Sequence, residues 1–91
     1  MKNATLIKPD GTRTPVSPAK GEVFKLQELQ EMVGGYIQLV FWGEMIAVIN
    51  EDGKSMGLPP NPTATMLGAG FLLPGDYVVG DVVLAPRDMI D

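Results

Sequence analysis

The chain has no cysteine and no histidine. No disulfide can staple it, and the usual sulfur and imidazole ligands of a structural zinc are missing. The commonest general base and the thiol nucleophile are missing with them. Long apolar runs are absent too. Nothing approaches the ~20 consecutive apolar residues of a membrane-spanning helix, and the opening MKNATLIKPDG lacks the apolar core of a secretory signal. A soluble protein is expected. Basic charge is scarce: 7 Lys and Arg stand against 11 Asp and Glu, for a net charge of −4. Passive binding to phosphate backbones needs a basic patch, so neither nucleic acid nor membrane is an expected partner. The acidity is too mild to mark a DNA mimic, and ordinary solubility charge accounts for it.

What is present is organised around residues 26–53, LQELQEMVGGYIQLVFWGEMIAVINEDG. Leu26, Leu29 and Val33 fall at i, i+3 and i+7, one face of a helix, with Gln27, Glu28, Gln30 and Glu31 turned to water. Gly34-Gly35 ends that helix. Lys25 stands where a hydroxyl or Asp cap is expected, which leaves Glu28 as the first-turn support. The period then becomes extended. Residues 36–42 and 45–49 are rich in β-branched and aromatic side chains, and Gly43-Glu44 between them suits a type II′ turn. That turn sets Trp42 opposite Met45, Phe41 opposite Ile46 and Leu39 opposite Val48. Ile37, Leu39, Phe41, Ile46 and Val48 form one apolar face, expected to take the helix. Tyr36, Gln38, Val40, Trp42, Met45, Ala47 and Ile49 form the other. It is nearly as apolar, so it needs a cover as well: the rest of the chain, another subunit or a ligand.

The flanks read as shorter pieces. Thr5-Leu6-Ile7 is a strand, Pro9-Asp10-Gly11 a turn, and residues 12–16 a returning strand that Pro15 and Pro18 confine to an edge. Residues 19–24 deliver Val23 and Phe24 to the core. Residues 58–60 are extended ahead of Asn61, a helix N-cap, and Pro62 at the first helical position. Residues 64–67 make a short helix ended by Gly68. Phe71, Leu72 and Leu73 place the following loop on the core or at an interface. Residues 77–84 read as a strand with a break at Gly80-Asp81, and residues 86–91 as a loosely held tail. The expectation is one α+β domain over 1–91: a mostly antiparallel sheet of four or five strands, with one longer and one shorter helix. A chain of 91 residues buries only about two-thirds of its unfolded surface and is marginal alone.

Chemistry is thinly supplied. Ser17 and Ser55 have no base nearby in sequence. Glu51, Asp52, Asp76 and Asp81 are candidate carboxylates, although Asp52 and Asp76 sit in turn contexts. Residues 50–55 lack the alternating carboxylates and distal glutamate of a calcium loop, and read as a hairpin turn. Gly68-Ala69-Gly70 is no dinucleotide fingerprint. No metal or cofactor is expected. The best polar cluster is Asn61, Thr63 and Thr65 at a helix start, near Lys54 in sequence. Free N–H groups there favour an anion. Capping by Asn61 explains the same residues, and both readings stay open. Tyr36 and Trp42 are candidates to stack on a ring, against a core or interface role.

Three stretches carry a family resemblance: LQELQ (26–30) running into VGGYI (33–37); NEDGK (50–54) followed by GLP (57–59), Asn61 and Ala64-Thr65; and GDVV (80–83). In their order and spacing the chain resembles a small family known as domain of unknown function 3846. Lys25 and a longer 70–77 segment depart from its pattern. The resemblance brings no catalytic residues. It implies a phage or plasmid origin and a bacterial cytoplasm. The resulting expectation is a non-enzymatic, homo-oligomeric phage protein with an anti-defence role, which sequesters a nucleotide-derived host signal. Asn61, Thr63, Thr65 and Lys54 would hold phosphate, and Tyr36 or Trp42 the base. The alternative is an adaptor or inhibitor that meets a host protein through the patch around Trp42 and Met45. An enzyme using Glu51 and Asp81 is the residual reading.

Overall fold

The computed structural model describes residues 3–90. Two strands open the chain, β1 (Ala4–Ile7) and β2 (Arg13–Val16), joined by the Pro9-Asp10-Gly11 turn. Asp10 accepts the Thr12 N–H at 2.8 Å there, an Asx contact that fixes the turn. Helix α1 spans Leu26–Val33, and the hairpin β3 (Ile37–Trp42) and β4 (Met45–Asn50) follows. A six-residue helix α2 (Pro62–Leu67) precedes β5 (Val82–Pro86), and a 3-10 turn at Arg87–Met89 closes the described chain. The five strands form one antiparallel sheet ordered β2-β1-β5-β4-β3. The last strand in sequence lies at its centre, which ties the two ends of the chain together.

The central unit forms as its sequence dictates. Trp42 pairs with Met45, Phe41 with Ile46 and Leu39 with Val48. Gly43 has φ 66° and Glu44 is not at positive φ, the pattern of a II′ turn. Gly34 caps α1 in the left-handed conformation, φ 79°. At the other end the Glu28 carboxylate does the capping. It accepts the N–H of Lys25 and of Ala19, both at 2.7 Å, which also straps the connector onto the helix start. These bonds to the ionised form hold the Glu28 pKa below its ordinary value.

Each sheet face has its own core. On one, Leu29 and Val33 of α1 pack with Ala4, Phe24, Ile46, Val48, Val83, Ala85 and Met89. On the other, Ile7, Trp42, Ala47 and Val82 pack beneath Ala64 and Val78. The middle of the hairpin's second face, with Trp42 and Ala47 buried and Val40 and Ile49 half-buried, is therefore covered by the chain's own residues 57–80, whereas Tyr36 and Gln38 at its outer end stay exposed.

Four local expectations are corrected. Phe24 is buried but Val23 is exposed, because only Phe24 bridges to Ile90 and donates its N–H to Met89. Phe41 shares the face that takes α1 yet is exposed, since it lies near the hairpin tip under the Arg87 guanidinium. The 77–84 strand starts only at Val82. Val79 bridges Pro60 instead, and Gly80 turns the chain at φ 73°. Residues 86–90 are not a loose tail: Pro86 ends β5, Met89 is buried and Ile90 packs against the first core. Asp91 lies outside the described residues.

Candidate functional site

Asn61 caps α2 as its sequence predicts, but it has no capacity left for a ligand. Its Oδ1 accepts the Ala64 N–H at 3.0 Å. Its Nδ2 donates to the carbonyls of Ile7 and Gly80, both at 2.9 Å. Its own N–H donates to Val78, and its carbonyl accepts from Thr65. The side chain is fully buried. It joins β1, α2 and the chain ahead of β5 at one point, and leaves no unsatisfied amide atom. The Thr65 hydroxyl is engaged too, accepting the Val78 N–H at 3.0 Å. Thr63 is half-buried and faces Gly11. The capping role of this turn is thus satisfied internally.

Trp42 is 5% exposed. Its ring lies against the α2 C-cap so closely that a Cβ on Gly68 would stand 2.2 Å from Cζ2. The ring cannot stack on a ligand. Its indole N–H is buried with no acceptor among the described residues. Tyr36 is 69% exposed, ahead of β3 and apart from Trp42.

One predicted residue does reach a cleft. Lys54 lines a cavity of about 370 Å³ between the second sheet face and residues 71–79, a volume in the range of small-ligand pockets. Val40 and Ile49 form its floor, Phe71, Leu72 and Tyr77 its opposite wall, and Glu51, Lys54 and Asp76 its polar rim. Lys54 Nζ donates to Asp76 Oδ1 at 2.7 Å and stands 4.5 Å from the centre of the Tyr77 ring. The Asp76 carboxylate raises the Lys54 pKa above its ordinary value. The Lys54 ammonium, then the Tyr77 N–H, lower that of Asp76. Both groups are exposed, so the pair fixes geometry more than it adds stability.

The predicted set is therefore dispersed: Asn61 and Trp42 are buried, Thr63 and Thr65 belong to the α2 turn, Tyr36 stands apart, and Lys54 lines the cleft. Phe71, Leu72, Asp76 and Tyr77 were not among the expected binding residues. The apolar 70–75 loop was the signal for the first two. Residues 50–55 form a turn, with Asn50 Oδ1 accepting the Asp52 N–H at 2.8 Å, but no hairpin, because the next sheet strand is β5. Glu51 lines this cleft whereas Asp81 lines another beside Pro9, Gly34 and Leu58, so the two carboxylates are not paired in one site.

Fold and cleft together define a small α+β protein with a single five-stranded sheet, covered by a helix on one side and by an irregular, clefted segment on the other. The chain belongs to the family described as Domain of unknown function (DUF3846), whose model matches residues 1–89. No curated protein and no solved structure matches the chain. Among the described residues, no helix is long and apolar enough to cross a membrane.

Proposed function

We propose that the chain is a non-enzymatic binding module that works through the outer surface of residues 66–77 and the adjoining cleft, and that its partner is another protein. The observation that carries this is the exposure of Met66, Leu67, Phe71, Leu73 and Tyr77 within that one segment, Leu73 to 77% and Met66 to 75%. Apolar side chains gathered this way mark interaction surfaces. The rim favours the same kind of partner. Glu51 and Asp76 outnumber Lys54, which suits an apolar surface with basic residues and disfavours phosphate. An adaptor or inhibitor of a host enzyme, encoded by a phage or plasmid, fits this chemistry.

Affinity capture from bacterial lysate tests the reading. One stoichiometric protein held by the wild type and lost by a Met66→Ser, Leu73→Ser variant is expected. Equal recovery by the variant contradicts it. A nucleotide-derived signal is the second reading, favoured by a cation and an aromatic ring on one wall of the cleft. It needs Lys54 to exchange Asp76 for a phosphate. Heat on titration with cyclic nucleotides or ADP-ribose derivatives, lost in Lys54→Ala, would establish it over the first.

A further inference from the structure

The two edges of the sheet differ in kind. β2 carries Arg13 and Pro15, two of the devices that keep an edge from pairing. β3 is longer, and its sequence IQLVFW holds no charge and no proline. Among the described residues it has one neighbour, β4.

The register tells which backbone groups are free. The residues that flank a two-residue hairpin turn form a hydrogen-bonded pair, and such pairs alternate along the ladder. Trp42, Val40 and Gln38 therefore spend their N–H and C=O on β4. The Tyr36 carbonyl, which accepts the Glu51 N–H at 2.8 Å, keeps the same alternation. Ile37, Leu39 and Phe41 point theirs away from the sheet. Apolar surface lies on both sides of this row. Leu26, 58% exposed, shares a cleft with Ile37 and Leu39 on the α1 side. Phe71 shares the larger cleft with Gln38 and Val40 on the other.

We propose that β3 is a dimerisation edge, to which a second copy of this chain adds its own β3 antiparallel, and that the added strand walls the outer side of the 370 Å³ cleft. A two-fold axis normal to the sheet sets residues of the same face opposite each other. Centred on Leu39, it pairs Ile37 with the partner's Phe41 and Leu39 with the partner's Leu39, and every outward N–H and C=O of the strand finds its complement. Gln38 then stands opposite the partner's Val40 at the cleft mouth. An uncharged strand meets itself with no like charges opposed, although each copy carries −4 overall. The strand with its flanking Leu26, Tyr36, Phe41 and Phe71 covers roughly 600 Å² per copy, the low end of what holds two chains together. A reversible dimer is expected. It does not depend on the partner proposed above, whose test uses Met66, outside this surface, and Leu73, which lines the same cleft but takes no part in the strand pairing.

Two measurements test it. The first is amide exchange of the wild type over a range of concentrations. Amides of Gln38, Val40 and Trp42 should be protected throughout, and those of Ile37, Leu39 and Phe41 only as concentration rises, in step with a dimer in native mass spectra. A monomer at every concentration, or a dimer in which those three amides still exchange freely, overturns the proposal. The second uses the native absence of cysteine. Gln38→Cys with Val40→Cys places thiols on a non-hydrogen-bonded pair about 4.5 Å apart at Cα, within reach of a disulfide. Oxidation should give near-complete covalent dimer from the double variant and little from Gln38→Cys alone. Equal cross-linking of the two overturns the register, and no cross-link in a sample that is dimeric overturns the edge.

Discussion

The sheet is covered on its two faces by different means. On one, α1 lays Leu29 and Val33 into a continuous apolar core, and a single buried amide, Asn50 Nδ2 to the Val33 carbonyl at 3.1 Å, marks the helix end. On the other, residues 57–80 have only six helical residues and no long apolar stripe. That cover is held at points: Asn61 bonded to three segments, and Gly68 pressed on Trp42. A regular helix spreads its hold over many weak contacts, whereas an irregular segment concentrates it in a few specific ones. The second arrangement leaves apolar side chains such as Leu73 facing outward, where a partner can use them.

The sharpest way to break the comparison is Asn61→Ala. It strands the Ile7 and Gly80 carbonyls and the Ala64 N–H in a dry interior, at about 1–3 kcal/mol for each unsatisfied group. A loss of about 4 kcal/mol is expected in urea denaturation, a large share of the ~5–15 kcal/mol of a typical domain. Leu29→Ala under α1, an ordinary cavity, should cost about 3 kcal/mol. If Leu29→Ala proves the more damaging, the second cover is not point-held.

Gly68→Ala comes next. The new methyl meets the Trp42 ring, and overpacking of this kind costs about 1–3 kcal/mol. Its particular sign is a red shift of Trp42 emission as the ring is displaced.

These two residues also show how far the sequence could be read. The hairpin was legible to the residue because a two-residue turn admits one register, and parity then sorts every side chain by face. The Asn61 cap and the Pro62 start were legible because capping is local. The Nδ2 bonds of Asn61 were not, since Ile7 lies 54 residues away in sequence and no local pattern encodes that approach. The same distance explains the candidate site. Trp42 and Tyr36 share a face by parity, but only the 57–80 segment decides which is covered. Asp76 reads as a turn residue until the fold brings it to Lys54.

Smaller effects sharpen the picture. Trp42→Phe removes an indole N–H that has no acceptor among the described residues, so relief of that burial offsets part of the lost packing. A net change within about 1 kcal/mol is expected by thermal melting. A larger loss would reveal an acceptor for the N–H. Acid should act least, and gradually. Asp10, Glu28 and Asp76 have folded pKa values below their ordinary ones. Their contribution is present above the ordinary carboxylate pKa and is lost as pH falls through the lowered values. Stability should thus be flat near neutrality and decline below about pH 4. Asp76→Asn should flatten only a minor part of that decline, because its ion pair is exposed.

The claim at the centre is that the chain itself covers its second sheet face. Trp42 is the only tryptophan, and it sits under that cover. Acrylamide quenching of its fluorescence across a dilution series is the direct measurement. Blue-shifted emission and weak quenching, unchanged as the protein is diluted to monomer, are predicted. Strong quenching at all concentrations, or protection that disappears on dilution, would contradict the account and show that the second face is covered only by another molecule.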